Sequence, residues 1–97
     1  MIKNIKLKVT PEQSRKVQEI CFSKGIVWGT GTSVQYTEAP YLYITNGRSL
    51  TYGRDYHLFT TDRRQEMDAN LFIQTNGTGI RKLLKQKVIK WLITTLK

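Results

Sequence analysis

The chain of 97 residues holds a single cysteine, Cys21, and a single histidine, His57. One cysteine excludes an intrachain disulfide framework. One Cys and one His cannot supply the four ligands of a structural zinc site. A Ser–His–Asp or Cys–His nucleophile finds no support either, because no recognised spacing joins His57 to Cys21 or to a serine. No run approaches the roughly 20 apolar residues that span a bilayer. The opening Met1-Ile2-Lys3-Asn4-Ile5-Lys6-Leu7-Lys8 alternates charge with apolar residues, where a secretory signal carries one continuous apolar block. The expectation is a chain without a membrane span, working in a reducing cytoplasm. It forms one domain over 1–97, with no repeat and no low-complexity tract.

Acidic residues are scarce: seven Asp and Glu stand against sixteen Lys and Arg, for a formal charge of +9. The imbalance is local. Residues 79–97 hold six bases and no acid, so a polyanion is drawn there first.

What is present reads as an α+β domain. Ile5, Leu7 and Val9 alternate with Lys6 and Lys8, the period of a half-buried strand. Thr10-Pro11-Glu12-Gln13 then starts a helix: Thr10 caps, Pro11 suits the first turn, and Gln13 reaches back as in a capping box. Gly25 ends it near Lys24, and Val17, Ile20, Cys21 and Lys24 share a face. Ile26-Val27-Trp28 and Val34–Thr37 read as strands around a Gly29–Ser33 turn. Asn46-Gly47 between Tyr41–Thr45 and Arg48–Tyr52 signals a hairpin, since both turn residues need positive φ. On it Leu42 and Ile44 face one side, and Tyr41, Tyr43 and Thr45 the other. Gly53–Ala69 reads as a polar loop, and Asn70–Gln74 as a short last strand. Ile80–Lys97 carries an apolar stripe of helical period. The expected fold is a small antiparallel sheet packed by an N-terminal helix over 1–75, followed by a basic C-terminal helix over 79–97. Surplus apolar residues at Leu92, Ile93 and Leu96 point to a homo-oligomer.

Three motifs that invite catalysis or cofactors have plainer readings. Gly29-Thr30-Gly31-Thr32-Ser33 lacks the Gly-Lys-Ser/Thr of a phosphate loop and suits a hairpin turn. Asp55, Asp62, Glu66 and Asp68 are spaced too irregularly for a dedicated magnesium site, and Arg63-Arg64 stand ready to pair with them. Asn76-Gly77-Thr78 matches a glycosylation acceptor, which in a cytoplasmic chain is only a turn. No catalytic residue, metal or cofactor is expected.

The informative pattern is aromatic plus basic. Trp28, Tyr36, Tyr41, Tyr43 and Tyr52 fall on the expected sheet, with Arg48 and Arg54 close by in sequence. Aromatic faces stack on bases and arginine binds phosphate through paired hydrogen bonds. The same rings also suit a strand core. The candidate ligand-binding set is Trp28, Tyr41, Tyr43, Arg48, Tyr52 and Arg54. The candidate polyanion-binding set is Arg81, Lys82, Lys85, Lys87 and Lys90.

The helix Pro11–Lys24 closing on Gly25, then Trp28-Gly29, Pro40-Tyr41-Leu42-Tyr43 and Leu50-Thr51-Tyr52-Gly53, resembles small proteins of unassigned role encoded by tailed bacteriophages. The resemblance runs from the first strand through Gly53. It implies an early phage protein acting in the host cytoplasm, of a kind that neutralises host enzymes or antiviral systems. Some of these sequester nucleotide signals. Residues and resemblance together lead to the expectation of a non-enzymatic binding protein for nucleic acid or a nucleotide. The alternative is an inhibitor that docks on an acidic surface of a host protein, with Trp91 and Leu92 as anchors.

Overall fold

The computed structural model describes residues 2–77. Seven elements follow in order: β1 (Ile5–Lys8), α1 (Pro11–Ser23), β2 (Tyr41–Thr45), β3 (Ser49–Gly53), α2 (Tyr56–Thr61), β4 (Gln65–Asp68) and α3 (Ala69–Asn76). The strands form one sheet in the order β3-β2-β1-β4. The architecture is α+β, with the N-terminal helix packed on the sheet. Two pairings, β1 with β2 and β2 with β3, are antiparallel as expected. The third corrects the expectation: β1 and β4 run parallel, so the sheet is mixed.

Local chemistry explains the elements. Thr10 accepts from the Gln13 N–H at 3.2 Å while Gln13 Oε1 accepts from the Thr10 N–H at 3.0 Å, closing the capping box. Gly25, at φ +81, turns the chain out of α1. Asn46 and Gly47, at φ +55 and +66, make the β2–β3 turn. Gly47 is obligatory for a second reason, because a side-chain carbon there would collide with the Ile2 carbonyl oxygen.

Register divides the side chains between two faces. Ile5, Leu7, Leu42, Ile44 and Leu50 lie together with Val17 and Cys21 of α1, Ile26, Trp28, and Ala69 and Phe72 of α3. That is the main core. Lys6, Tyr41 and Tyr43 point the other way, where α2 brings Phe59.

Four sequence readings are corrected here. Ile26–Trp28 is not a full strand, since Val27 makes only an isolated parallel bridge to Ser49. Val34–Thr37 forms no strand. Asn70–Gln74 lies in helix α3, capped by Asp68, whose carboxylate accepts from the Leu71 N–H at 3.0 Å. The polar stretch Gly53–Ala69 contains both α2 and β4. The expected helix over 79–97, with Arg81, Lys82, Lys85, Lys87 and Lys90 and the oligomer-forming Leu92, Ile93 and Leu96, lies outside the described residues. Among the described residues no helix is long and apolar enough to cross a membrane.

Candidate functional site

The six candidate ligand-binding residues do not form one surface. The sheet separates them.

Tyr41 and Tyr43 occupy the α2 side. Tyr41 stacks on Phe59 with ring centroids 4.3 Å apart and planes 14° from parallel. Tyr43 lies 6.2 Å from Phe59, and the Arg64 guanidinium sits 5.2 Å from its ring centre. Both tyrosines are buried. Gly53 is bare because Tyr43 covers it, with Cε2 3.1 Å from where a side-chain carbon would stand. Lys6 closes this face. Its ammonium donates to the Phe59 carbonyl at 2.5 Å and the Asp62 carbonyl at 2.8 Å, and lies 4.8 Å from the Phe59 ring centre. Two carbonyls and an aromatic face compensate a cation that is almost wholly buried. Burial, and then the Asp62 carboxylate, raise the pKa of the Tyr43 phenol, so it remains a neutral hydroxyl.

Trp28 and Tyr52 occupy the α1 side with Tyr36. Trp28 is buried and meets Tyr36 and Tyr52 edge-on, at 5.2 Å and 6.3 Å. Tyr36 and Tyr52 stack at 4.0 Å and 15°, and are 36% and 37% exposed. This is the one ring pair of the described residues whose two members both reach solvent. Arg54 covers the Tyr52 ring at 5.1 Å and pairs with Glu38.

Gln18 builds this edge. From α1 its carboxamide oxygen accepts from the Trp28 indole N–H at 3.0 Å and from the Gln35 N–H at 2.9 Å. Its amide nitrogen donates to the Gln35 carbonyl at 2.7 Å and to Ser14 Oγ at 2.9 Å. A fully buried amide is thus satisfied on every side. The next residue, Tyr36, has φ +56, a conformation that costs a non-glycine residue about 1–2 kcal/mol. The clamp on Gln35 and the Ala39 N–H donated to the Tyr36 carbonyl at 3.0 Å hold it there. Strain of this kind persists only where the surroundings over-determine it.

Arg48 does not join Arg54. The two lie beyond opposite ends of β3, and Arg48 lines a cleft of about 450 Å³ with Lys3 and Lys24. Three of the four acidic candidates, Asp55, Asp62 and Asp68, serve the backbone. Asp55 caps α2 by accepting from the Leu58 N–H at 3.0 Å, and Asp68 caps α3. Asp62 accepts from the Arg64 N–H at 2.8 Å and its guanidinium at 2.5 Å. Burial would raise the Asp62 carboxyl, but these bonds and the charges of Arg64 and Lys6 outweigh it and hold its pKa low. Arg64 therefore makes the expected acid pair, and Arg63 makes no ion pair among the described residues. No group of three or more His, Cys, Asp or Glu among the described residues is placed to hold a metal ion. Cys21 is buried against α1's neighbours, and burial pushes its thiol up to about 12, so it is unreactive at neutral pH.

Sequence reasoning missed Gln18, Lys3 and Lys24, and left Tyr36 out of the candidate set. A glutamine inside an apolar helical face was the available signal for the first. The left-handed backbone of Tyr36 had none.

Comparison with protein-family models, with curated proteins and with solved structures finds no match to this chain.

Proposed function

We propose that the chain binds a nucleobase-bearing anion, a nucleic-acid strand or a nucleotide, without turnover. The observation that carries this reading is the exposed Tyr36–Tyr52 stack with Arg54 lying across Tyr52. A base adds to such a stack through its own π-face, at about 1–3 kcal/mol. Arg54 then offers its guanidinium to the adjoining phosphate, exchanging the Glu38 carboxylate for paired phosphate oxygens. The basic stretch 79–97 supplies long-range attraction whatever its conformation, because it holds no acid. Trp28 supports the surface from beneath. The resemblance to tailed-phage proteins gives this reading a setting: sequestering a nucleotide signal or a nucleic acid in the host cytoplasm, as a counter-defence protein.

Fluorescence anisotropy with a labelled single-stranded tetranucleotide tests it. Affinity is expected to fall steeply as salt rises, as released counterions lose their advantage. Tyr52→Ala is expected to weaken binding about tenfold or more. Salt-insensitive binding, or no binding of any strand or nucleotide, overturns the reading.

A second reading rests on α2. Tyr56 and Leu58 are 70% and 61% exposed there, and Leu58 favours an apolar anchor docking on a host protein. A complex from host lysate that survives nuclease, and is lost with Leu58→Ser, would support it.

A further inference from the structure

The cleft at the β2–β3 turn has no role in the stacking site, which lies at the far end of β3. Three basic residues line it: Lys3 from the segment before β1, Lys24 from the end of α1, and Arg48 from the β2–β3 turn. Asn46 and Asn76 also belong to its lining, and no Asp or Glu does. None of the three cations pairs with a carboxylate among the described residues. Residues 78–97 contain no Asp or Glu to neutralise them.

The floor is built, not incidental. The Gly47 N–H donates to the Lys3 carbonyl at 2.8 Å, and the Asn46 N–H donates to Asn4 Oδ1 at 3.0 Å. Gly47 is packed so tightly on Ile2 that no side chain fits. On the other flank the Val27 N–H donates to the Arg48 carbonyl at 3.0 Å, and the Leu50 N–H to the Val27 carbonyl at 2.9 Å. The Ile26 N–H donates to the Cys21 carbonyl at 2.9 Å, tying that flank to the last turn of α1. Three backbones that are remote in sequence are therefore locked together, and each contributes one basic residue to the lining of the same cleft. Like charges repel, and a fold that holds three of them around one cleft gains when an anion enters it.

We infer that this cleft is a binding site for a phosphate monoester or inorganic phosphate. A phosphodiester carries one negative charge. A monoester carries about −1.5 to −2 at neutral pH and three strong acceptor oxygens, a better match to three cations. A volume of about 450 Å³ accepts a phosphoryl group with its attached sugar. The inference stands apart from the stacking site and needs none of its residues.

The test uses the full-length, ¹⁵N-labelled chain and follows the amide signals of Lys3, Lys24 and Gly47. Three probes are titrated at constant ionic strength: inorganic phosphate, a nucleoside 5′-monophosphate, and a tetranucleotide with or without a 5′-phosphate. Saturable shifts at these three amides with phosphate-bearing probes are expected. Lys3→Gln with Arg48→Gln should weaken them about tenfold or more, while Arg15→Gln on α1 leaves them unchanged. Equal affinity for phosphate and monophosphate identifies free phosphate as the occupant. Preference for the 5′-phosphorylated strand identifies a strand end. Absence of saturable shifts with every probe overturns the inference, as does equal weakening by Arg15→Gln. Tyr52→Ala distinguishes the two proposals: it should weaken binding of the unphosphorylated strand about tenfold or more and leave the phosphate shifts intact.

Discussion

The two aromatic groups on opposite faces of the sheet have similar composition and opposite fates. On one face Tyr41, Tyr43 and Phe59 are sealed by α2, and Lys6 fastens that helix by its last carbonyls. On the other, Trp28 is sealed but Tyr36 and Tyr52 remain open: Tyr36 lies in an irregular segment hung from Gln18 and stacks on Tyr52. Ring count therefore does not decide whether aromatics serve stability or recognition. The decision rests on the element that lies over them and on how it is attached.

The largest effect should come from the sealed face. Phe59→Ala is expected to cost about 3 kcal/mol in urea unfolding, as the ring that joins Tyr41 and Tyr43 is lost. Strand binding at Tyr52 should persist. If affinity falls along with stability, the two faces are coupled and the contrast fails.

Next is the anchor of the open edge. Gln18→Leu strands the Trp28 indole N–H and both backbone groups of Gln35, and is expected to cost about 2–3 kcal/mol. Here binding should fall too, because Tyr36 loses the clamp beside it. An unfolding curve paired with anisotropy separates this outcome from that of Phe59→Ala.

Lys6→Met is expected to cost about 1–2 kcal/mol, with two carbonyls left without their donor. Hydrogen exchange should quicken in α2 and stay unchanged in α1. Uniform acceleration would show that α2 does not open separately.

The smallest effect is acid sensitivity. The Asp62 carboxyl has a lowered pKa in the folded chain. Its contribution is therefore complete above the unfolded value of about 3.9 and is lost as pH falls through the folded value. The Arg64 side-chain signal should stay fixed at neutral pH and move only in acid. A midpoint at or above the unfolded value would contradict the Asp62–Arg64 hook.

The sequence announced those parts of the fold that local chemistry determines. The strand at Ile5–Lys8, the capped helix from Pro11 and the Asn46-Gly47 hairpin each carry their own signal, and each stands where it was expected. Gln65–Asp68 was unreadable because it is a polar edge strand, given its place by pairing with β1 rather than by periodicity. Asn70–Gln74 misled because a short apolar run suits either state, and the cap from Asp68 decided for helix. Ile26–Trp28 has strand composition but reaches its partner at one residue before Gly29–Gly31 turns it away. The candidate site suffered the same limit. Arginines close to one strand in sequence proved to lie beyond its two ends, and Tyr52 on β3 faced away from Tyr41 and Tyr43 on β2.

The position of β1 has a consequence for how the molecule is made. It is translated before the other three strands of the sheet, yet it lies inside that sheet, with Ile5 opposite both Ile44 and Gln65. One flank must wait for the hairpin, and the other until almost the whole described chain has emerged. Contacts of such long reach slow the search for the native state. During translation the hydrophobic side of this strand lies bare until its late neighbours arrive, so the nascent chain is most vulnerable to a chaperone or a protease in that interval.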